Sequence, residues 1–145
     1  MKLILRNVLA VIAGFVLGSI VNMLLVNAGP HVFALPPGVD MNDMNGLKSS
    51  AHLMQPKNFV FPFLAHALGT LVGALTAHLI AASRRSVFAY LIGVLNLAGG
   101  IAASFMIPAP TWFIALDLLV AYLPMAWLAS RLGRTLRPDG AVVTG

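Results

Sequence analysis

Few side chains in this sequence could do chemistry inside its long apolar stretches, and two of them stand out. Asp117 is the one acidic residue within such a stretch, and His66 lies within another. A carboxylate among apolar groups is costly unless it is protonated or paired. His66 is the natural partner, because an aspartate–histidine contact can take up a proton or hold a cation. These two residues therefore predict a polar contact inside the protein.

Metal and enzyme chemistry have less support in the sequence. His31 and His52 could fold over His66 and Asp117 as further zinc or copper ligands, but no two histidines have a ligand spacing such as H-x-x-x-H. Cysteine is absent, which excludes disulfides and thiolate sites. The sequence has no G-x-S-x-G, H-E-x-x-H or phosphate-loop motif, so we predict no enzymatic activity and no cofactor.

Four apolar runs must position these side chains, and together they fill most of the chain. They cover residues 8–26, 59–82, 87–107 and 112–128, and each is about long enough to cross a ~30 Å hydrocarbon layer as a helix. Only 9% of the residues are charged, against roughly 25% in soluble domains. The predicted fold is an all-α, polytopic membrane protein with four transmembrane helices in an antiparallel bundle. One domain spans 1–137, and 138–145 form a flexible cytoplasmic tail.

Positive charges lie on one side of the predicted spans. The other side has only Lys48 and Lys57. By the positive-inside rule both termini are cytoplasmic and the loop 27–58 faces outward. The net charge is +5, and in this interpretation the basic side chains contact anionic lipid headgroups. Membrane lipids are therefore predicted partners, and nucleic acid is not. The seven residues on the basic side are Lys2, Arg6, Arg84, Arg85, Arg131, Arg134 and Arg137.

Three neutral polar residues are predicted to lie at a depth in the membrane similar to that of Asp117 and His66. Counted at about 1.5 Å per residue from the outer ends of the spans, Asn22 and Ser104 fall in the outer half with His66 and Asp117. Asn96 falls near the middle. The sequence thus predicts a polar pocket, open to the outer side, for a ligand or ion. The alternative is structural: Asp117 reaches toward water and His66 is a hydrogen-bonded core residue.

Small residues recur at intervals of four in the first two spans, and the third span adds more, including Gly99. Helices in lipid associate through close backbone contact, which small residues permit. These stripes predict helix packing, either within one chain or between chains in a homo-oligomer or a larger membrane complex. The principal glycines are Gly14, Gly18, Gly69, Gly73, Gly93 and Gly100.

The loop 27–58 is the only sizeable segment outside the spans. Gly29-Pro30 and Pro36-Pro37-Gly38 are typical of turns and extended chain. Asp40 and Asp43 could each cap the start of a helix. The pattern that follows predicts a short amphipathic helix on the outer leaflet, with an irregular connector as the alternative. Its apolar positions are Met41, Met44, Leu47 and Ala51.

Three segments carry a resemblance to known sequences. They are Leu35-Pro36-Pro37-Gly38-Val39-Asp40, Ala67-x-Gly69-x-x-x-Gly73-Ala74, and Asn96 followed by Met106-Ile107-Pro108-x-Pro110-x-Trp112-Phe113. The chain resembles a group of small, four-span bacterial inner-membrane proteins usually described as hypothetical. The resemblance covers most of the length and implies a bacterial inner membrane and four helices. It supplies no catalytic residues.

Three functions are compatible with the sequence. The first is a non-enzymatic protein that works as a homo-oligomer or accessory subunit through small-residue packing. The second is a small transporter or channel in which Asp117 and His66 handle a proton, a cation or a small solute. The third is a lipid-binding protein with the loop helix as a lid. A continuous polar path favours transport, a laterally open apolar groove favours lipid, and a dry interior favours packing.

Overall fold

The computed structural model describes residues 2–40 and 43–138, and every regular element in this part of the chain is helical. Two 3₁₀ turns, Ala51–Leu53 and Pro56–Phe59, connect the second helix to the third. Met41 and most of the predicted tail lie outside the described residues. The helices are α1 (Lys2–Val32), α2 (Met44–Ser50), α3 (Val60–Ile80), α4 (Arg85–Met106), α5 (Thr111–Val120) and α6 (Leu123–Leu136).

Four helical segments in the described residues are long and apolar enough to cross a membrane. They are Lys2–Val32, Pro56–Ile80, Arg85–Met106 and Thr111–Leu136, and each contains or overlaps one predicted span. Phe105 and Leu119 are 87% and 73% exposed, which suits contact with lipid better than contact with water. The helices are therefore compatible with a multi-pass integral membrane protein.

The first helix is longer than predicted, and the interpretation of Gly29-Pro30 as a turn is wrong. α1 continues past Pro30 to Val32, although Pro30 has no N–H to donate to the Val26 carbonyl. Gly29 is buried against Phe61, where an added Cβ would lie 2.8 Å from the Phe61 Cβ. The N–H of Phe33 still donates to the Gly29 carbonyl at 2.9 Å. The chain leaves the helix only after this bond.

The Pro36-Pro37-Gly38 segment forms a turn, as its sequence predicted, and a short helix follows it. Gly38 has a φ of +87°, a left-handed conformation that glycine adopts without strain. At the start of α2, the Asp43 side chain accepts a hydrogen bond from the Asn45 N–H at 3.0 Å, as an N-cap should. Leu47 on α2 is buried. Whether α2 rests on a leaflet stays a prediction.

The fourth span is interrupted, whereas the sequence predicted one continuous helix. α5 ends at Val120 and α6 begins at Leu123, with Tyr122 between them at φ −117° and ψ −79°. Pro124 explains the break, because it has no N–H for the carbonyl four residues earlier and its ring crowds that carbonyl. Helical bonding then resumes, with the Ala126 N–H donating to the Tyr122 carbonyl at 2.9 Å.

α3 is the central element and packs against α1, α4 and α6. Its contact with α1 depends on glycine. A Cβ added to Gly14 would lie 2.5 Å from the Gly73 carbonyl oxygen, and one added to Gly18 would lie 2.6 Å from that of Gly69. Real Cβ atoms do not approach so closely, so the two helices meet backbone to backbone.

The glycines of α4 make similar contacts with the last span, with one exception. A Cβ on Gly93 would lie 2.6 Å from that of Ala126, and one on Gly100 would collide with the Tyr122 ring. Gly99, in contrast, has open space around it. The six principal glycines thus all make close helix-packing contacts within one chain. A homo-oligomer stays a prediction, and these stripes no longer motivate it.

Basic residues from the two ends of the described chain meet at one end of the molecule, here called the basic end. Arg6 donates to the carbonyl of Ile80 at 2.7 Å, and Arg137 donates to that of Leu79 at 2.6 Å. The Asn7 side chain accepts from the Ala82 N–H at 2.8 Å. The last carbonyls of a helix have no partner within it, so the two arginines supply donors at the end of α3.

Candidate functional site

The structure brings His66 of α3 and Asp117 of α5 into direct contact. The His66 Nδ1 lies 2.9 Å from Oδ1 and 3.0 Å from Oδ2 of Asp117. The Tyr122 hydroxyl donates to Oδ2 at 2.8 Å. An ionised carboxylate only accepts, so Nδ1 carries the proton in this arrangement. Asp117 is 5% exposed, and two donors compensate its burial. These three residues are called the His–Asp–Tyr cluster below.

Sequence reasoning missed Tyr122, because it joins the cluster through the break in the last span. In a regular helix, five positions turn a side chain through about 140°, so Tyr122 would point away from Asp117. The irregular backbone between α5 and α6 returns its hydroxyl to the carboxylate. Its ring stacks on that of His66, with centroids 5.8 Å apart. The only available signal was a proline placed two residues after a tyrosine inside a span.

The Nε2 atom of His66, its second ring nitrogen, is not used within the cluster. None of the described residues forms a hydrogen bond with it. The His66 side chain is 28% exposed, and its ring borders two cavities. When Asp117 is ionised and the His66 ring is neutral, the ring proton lies on Nδ1, and Nε2 presents a lone pair to the two cavities.

The first cavity lies beneath the loop segment and is called the loop-side cavity. Its volume is about 190 Å³. Leu47, Ala51 and Met54 of the loop cover one side of it. Its lining is apolar except for three residues, His66, Ser104 and Asp117. The other lining residues are Val26, Phe59, Pro62, Gly100, Ala103, Ile107, Pro108, Ala109, Phe113, Ile114 and Leu118.

The second cavity lies between α1 and α4 and is called the lateral groove. Its volume is about 390 Å³. It shares His66, Gly100 and Ala103 with the loop-side cavity, so the two spaces adjoin at the histidine ring. The other lining residues are Phe15, Gly18, Ser19, Asn22, Met23, Gly69, Thr70, Leu95, Asn96, Gly99 and Tyr122.

The predicted pocket residues are divided between these two cavities. Asp117 and Ser104 border the loop-side cavity, where the Ser104 hydroxyl donates to the Ile101 carbonyl at 2.7 Å. Asn22 and Asn96 border the lateral groove. The Asn96 amide donates to the Thr70 hydroxyl, with 3.0 Å between the two atoms. His66 alone of the predicted set borders both.

The histidines considered as further metal ligands lie elsewhere. His31 and His52 are exposed, and neither lines either cavity. Within residues 2–40 and 43–138, no group of three or more histidine, cysteine, aspartate or glutamate side chains is placed to hold a metal ion. In the His–Asp–Tyr cluster, Asp117 is already hydrogen-bonded, so Nε2 of His66 is the one nitrogen there that could serve as a ligand.

Neither of the two cavities reaches the basic end. The interior there is formed by fully buried side chains, among them His78 and Ser130. Gly133 lies so close to the His78 ring that an added Cβ would collide with it. Packed side chains therefore separate both cavities from the basic end.

Comparisons with known proteins give no match for this chain. No protein-family model, no curated protein and no solved structure matches it significantly. The resemblance to small four-span bacterial inner-membrane proteins stays an expectation from the sequence. Function is therefore inferred from the geometry of the chain itself.

Proposed function

We propose that this protein binds a small amphipathic molecule within the membrane. The apolar part of the ligand occupies the loop-side cavity, and its polar group bonds to His66. The observation that carries this proposal is the His–Asp–Tyr cluster at the border of an otherwise apolar cavity. Small-molecule sites commonly combine an apolar lining with a few fixed polar groups in this way.

The cluster also suggests which polar group the ligand carries. With the Nδ1 proton directed to Asp117, the Nε2 of His66 accepts a hydrogen bond. A hydroxyl or amine on the ligand would donate to it. A ligand that comes from the bilayer gains little free energy by burying its apolar part, because lipid tails are as apolar as the cavity lining, so the hydrogen bond and the fit of the chain select it. A hydrocarbon with one hydroxyl group fits both requirements.

We place this function in a four-helix antiparallel bundle of a bacterial inner membrane, with both termini in the cytoplasm. The four apolar helices and the grouping of arginines at the basic end support this arrangement. Membrane lipids are the surrounding partners. An accessory or homo-oligomeric role remains an alternative, although the glycine stripes are used within the chain.

The binding proposal is tested with a fatty alcohol that carries a photoactivatable diazirine group. The purified protein is labelled in detergent, and the labelled residues are identified by mass spectrometry. His66→Asn keeps an amide that can donate to Asp117 but removes Nε2. We expect labelling at Met54, Phe113 and Ile114 in the wild type and about a tenfold loss in His66→Asn, because one hydrogen bond in a dry site is worth about 1.5 kcal/mol.

His52→Asn is the matched control, because His52 is exposed and borders neither cavity. It should label as strongly as the wild type. Equal labelling of His66→Asn and His52→Asn would reject the role of Nε2. Label confined to lipid-facing residues such as Phe105 would reject the site itself.

Transport is a second candidate, and the junction of the two cavities at His66 favours it. An ionisable ring between two spaces is the arrangement that a proton or small-solute pathway needs. Neither cavity reaches the basic end in this conformation, so transport would require a rearrangement. Vesicles loaded with a pH-sensitive dye test it: protein-dependent proton flux that His66→Asn abolishes would support transport over binding alone.

A further inference from the structure

The lateral groove has a rim that faces the surroundings of the protein. Phe15, Ser19 and Met23 on the α1 side are exposed, as are Leu95 and Gly99 on the α4 side. These residues belong to two of the four membrane-spanning candidates. The medium outside the groove is therefore lipid, and the opening is sideways.

Most polar side chains of the groove lie on its floor, and Ser19 is the one polar residue on the rim. Asn96 and Thr70 satisfy each other through one hydrogen bond. Asn22, in contrast, borders the groove and makes no side-chain hydrogen bond with any described residue. The Nε2 of His66 is in the same situation. A primary amide without a partner in a hydrocarbon layer is unfavourable, so a ligand with a hydroxyl, ester or amide group would be stabilised here.

The charge of the groove restricts the ligand further. No lysine, arginine, aspartate or glutamate lines it. Asp117, the nearest acidic residue in the chain, already receives hydrogen bonds from His66 and Tyr122. A charged headgroup would therefore find no counter-ion, whereas an uncharged polar group finds both donors and acceptors.

The groove is also continuous with the proposed binding site. His66, Gly100 and Ala103 border both cavities. The loop-side cavity is covered by Leu47, Ala51 and Met54. A molecule dissolved in the bilayer would reach His66 through the groove without displacing this cover.

We propose that the lateral groove is the entrance through which a single-chain lipid with an uncharged polar group passes from the bilayer to His66, with Asn22 as its first hydrogen-bonding partner. This inference rests on the proposed binding function and adds the route and the class of ligand. In this proposal Asn22 contributes to specificity and Gly99 controls access, although neither residue borders the loop-side cavity.

The test compares labelling rates in vesicles of phosphatidylethanolamine and phosphatidylglycerol, with the same diazirine fatty alcohol added to the bilayer. Gly99→Leu narrows the groove, and its Cβ meets nothing within 4 Å, so the fold should accept it. Ala102→Leu is the control, because Ala102 is an exposed α4 residue that borders neither cavity. The delay between addition of the alcohol and photolysis is varied, and the label at Phe113 is measured for each delay.

We expect Gly99→Leu to slow the appearance of label at Phe113 at least fivefold without changing its final extent. Ala102→Leu should behave as the wild type. Asn22→Ala, which leaves the groove open, should reduce label at the groove residues Met23 and Leu95. Equal rates for Gly99→Leu and Ala102→Leu would overturn the entrance while leaving the binding site intact. No label at Phe113 in the wild type would instead overturn the proposed function.

Discussion

Asp117 is the residue whose environment demands most from the rest of the chain. It is buried in a segment long and apolar enough to span a membrane, and its two oxygens accept hydrogen bonds from His66 and Tyr122. Charge-assisted bonds of this kind are stronger than bonds between neutral groups. The cluster therefore fixes three side chains from α3, α5 and the break after α5 relative to one another.

Removing the tyrosine hydroxyl tests the contribution of this cluster to stability. We expect Tyr122→Phe to lower the free energy of unfolding by about 1.5–3 kcal/mol, because the carboxylate loses one of its two donors. Unfolding is measured by titration with sodium dodecyl sulfate in mixed micelles. Tyr90→Phe is the control, since Tyr90 is 38% exposed and its hydroxyl bonds to no described residue. Equal losses in the two variants would show that the bond contributes nothing.

The glycines at the α1–α3 contact provide a second prediction at this scale. Gly18→Ala places a Cβ 2.6 Å from a backbone oxygen that cannot move aside. We expect a loss of about 1–3 kcal/mol from this overpacking. Gly99→Ala enters open space and removes a poor helix former, so it should be neutral or stabilising by up to about 1 kcal/mol. The same titration measures both, and a stable Gly18→Ala protein would contradict the close contact.

The residues of the His–Asp–Tyr cluster and of the two cavities could be predicted from the sequence only in part. The pairing of Asp117 with His66 was an available guess, because spans offer few polar groups and each needs a partner. Tyr122 was not, since its hydroxyl reaches Asp117 only through irregular backbone. The separation of Asn22 and Asn96 from Ser104 depends on which helices enclose each cavity, and depth along a span does not contain that information.

Two prolines show why helix boundaries were harder to predict than helices. Pro30 lies inside α1, close to its end, and the helix continues past it. Pro124 lies at the start of α6 and separates it from α5. Each proline removes one N–H donor and crowds one carbonyl, so a proline in the sequence does not by itself show whether a helix ends there. Apolar length alone was enough to predict four helical segments that are long and apolar enough to span a membrane.

The completed end of α3 gives a prediction for a whole element. Arg137 donates to the carbonyls of Leu79 and Ala81, which have no partner within the helix. We expect Arg137→Ala to lower the free energy of unfolding by about 1–3 kcal/mol through loss of these charged donors. Arg134→Ala should have little effect, because Arg134 is exposed and bonds to no described residue. Similar stabilities of the two variants would argue against this role.

At the scale of the whole molecule, the orientation of the chain is the most direct expectation. A reporter fused after Gly38 should be exported, and one fused after Arg137 should remain in the cytoplasm, because arginines stay on the cytoplasmic side. Alkaline phosphatase activity reports export, and fluorescence of a green fluorescent protein fusion reports retention. Phosphatase activity from the Arg137 fusion would reverse the arrangement and place the loop-side cavity toward the cytoplasm.

The arginine at the end of α3 has a consequence for biosynthesis. Arg137 is translated 58 residues after Leu79, whose carbonyl it binds. While α4, α5 and α6 are still being made, the carbonyls of Leu79 and Ala81 lack this donor. Translation that terminates before codon 137 would therefore release a chain that has all four apolar helical segments but lacks these bonds at the end of α3. Such a chain should be more readily cleaved by membrane proteases.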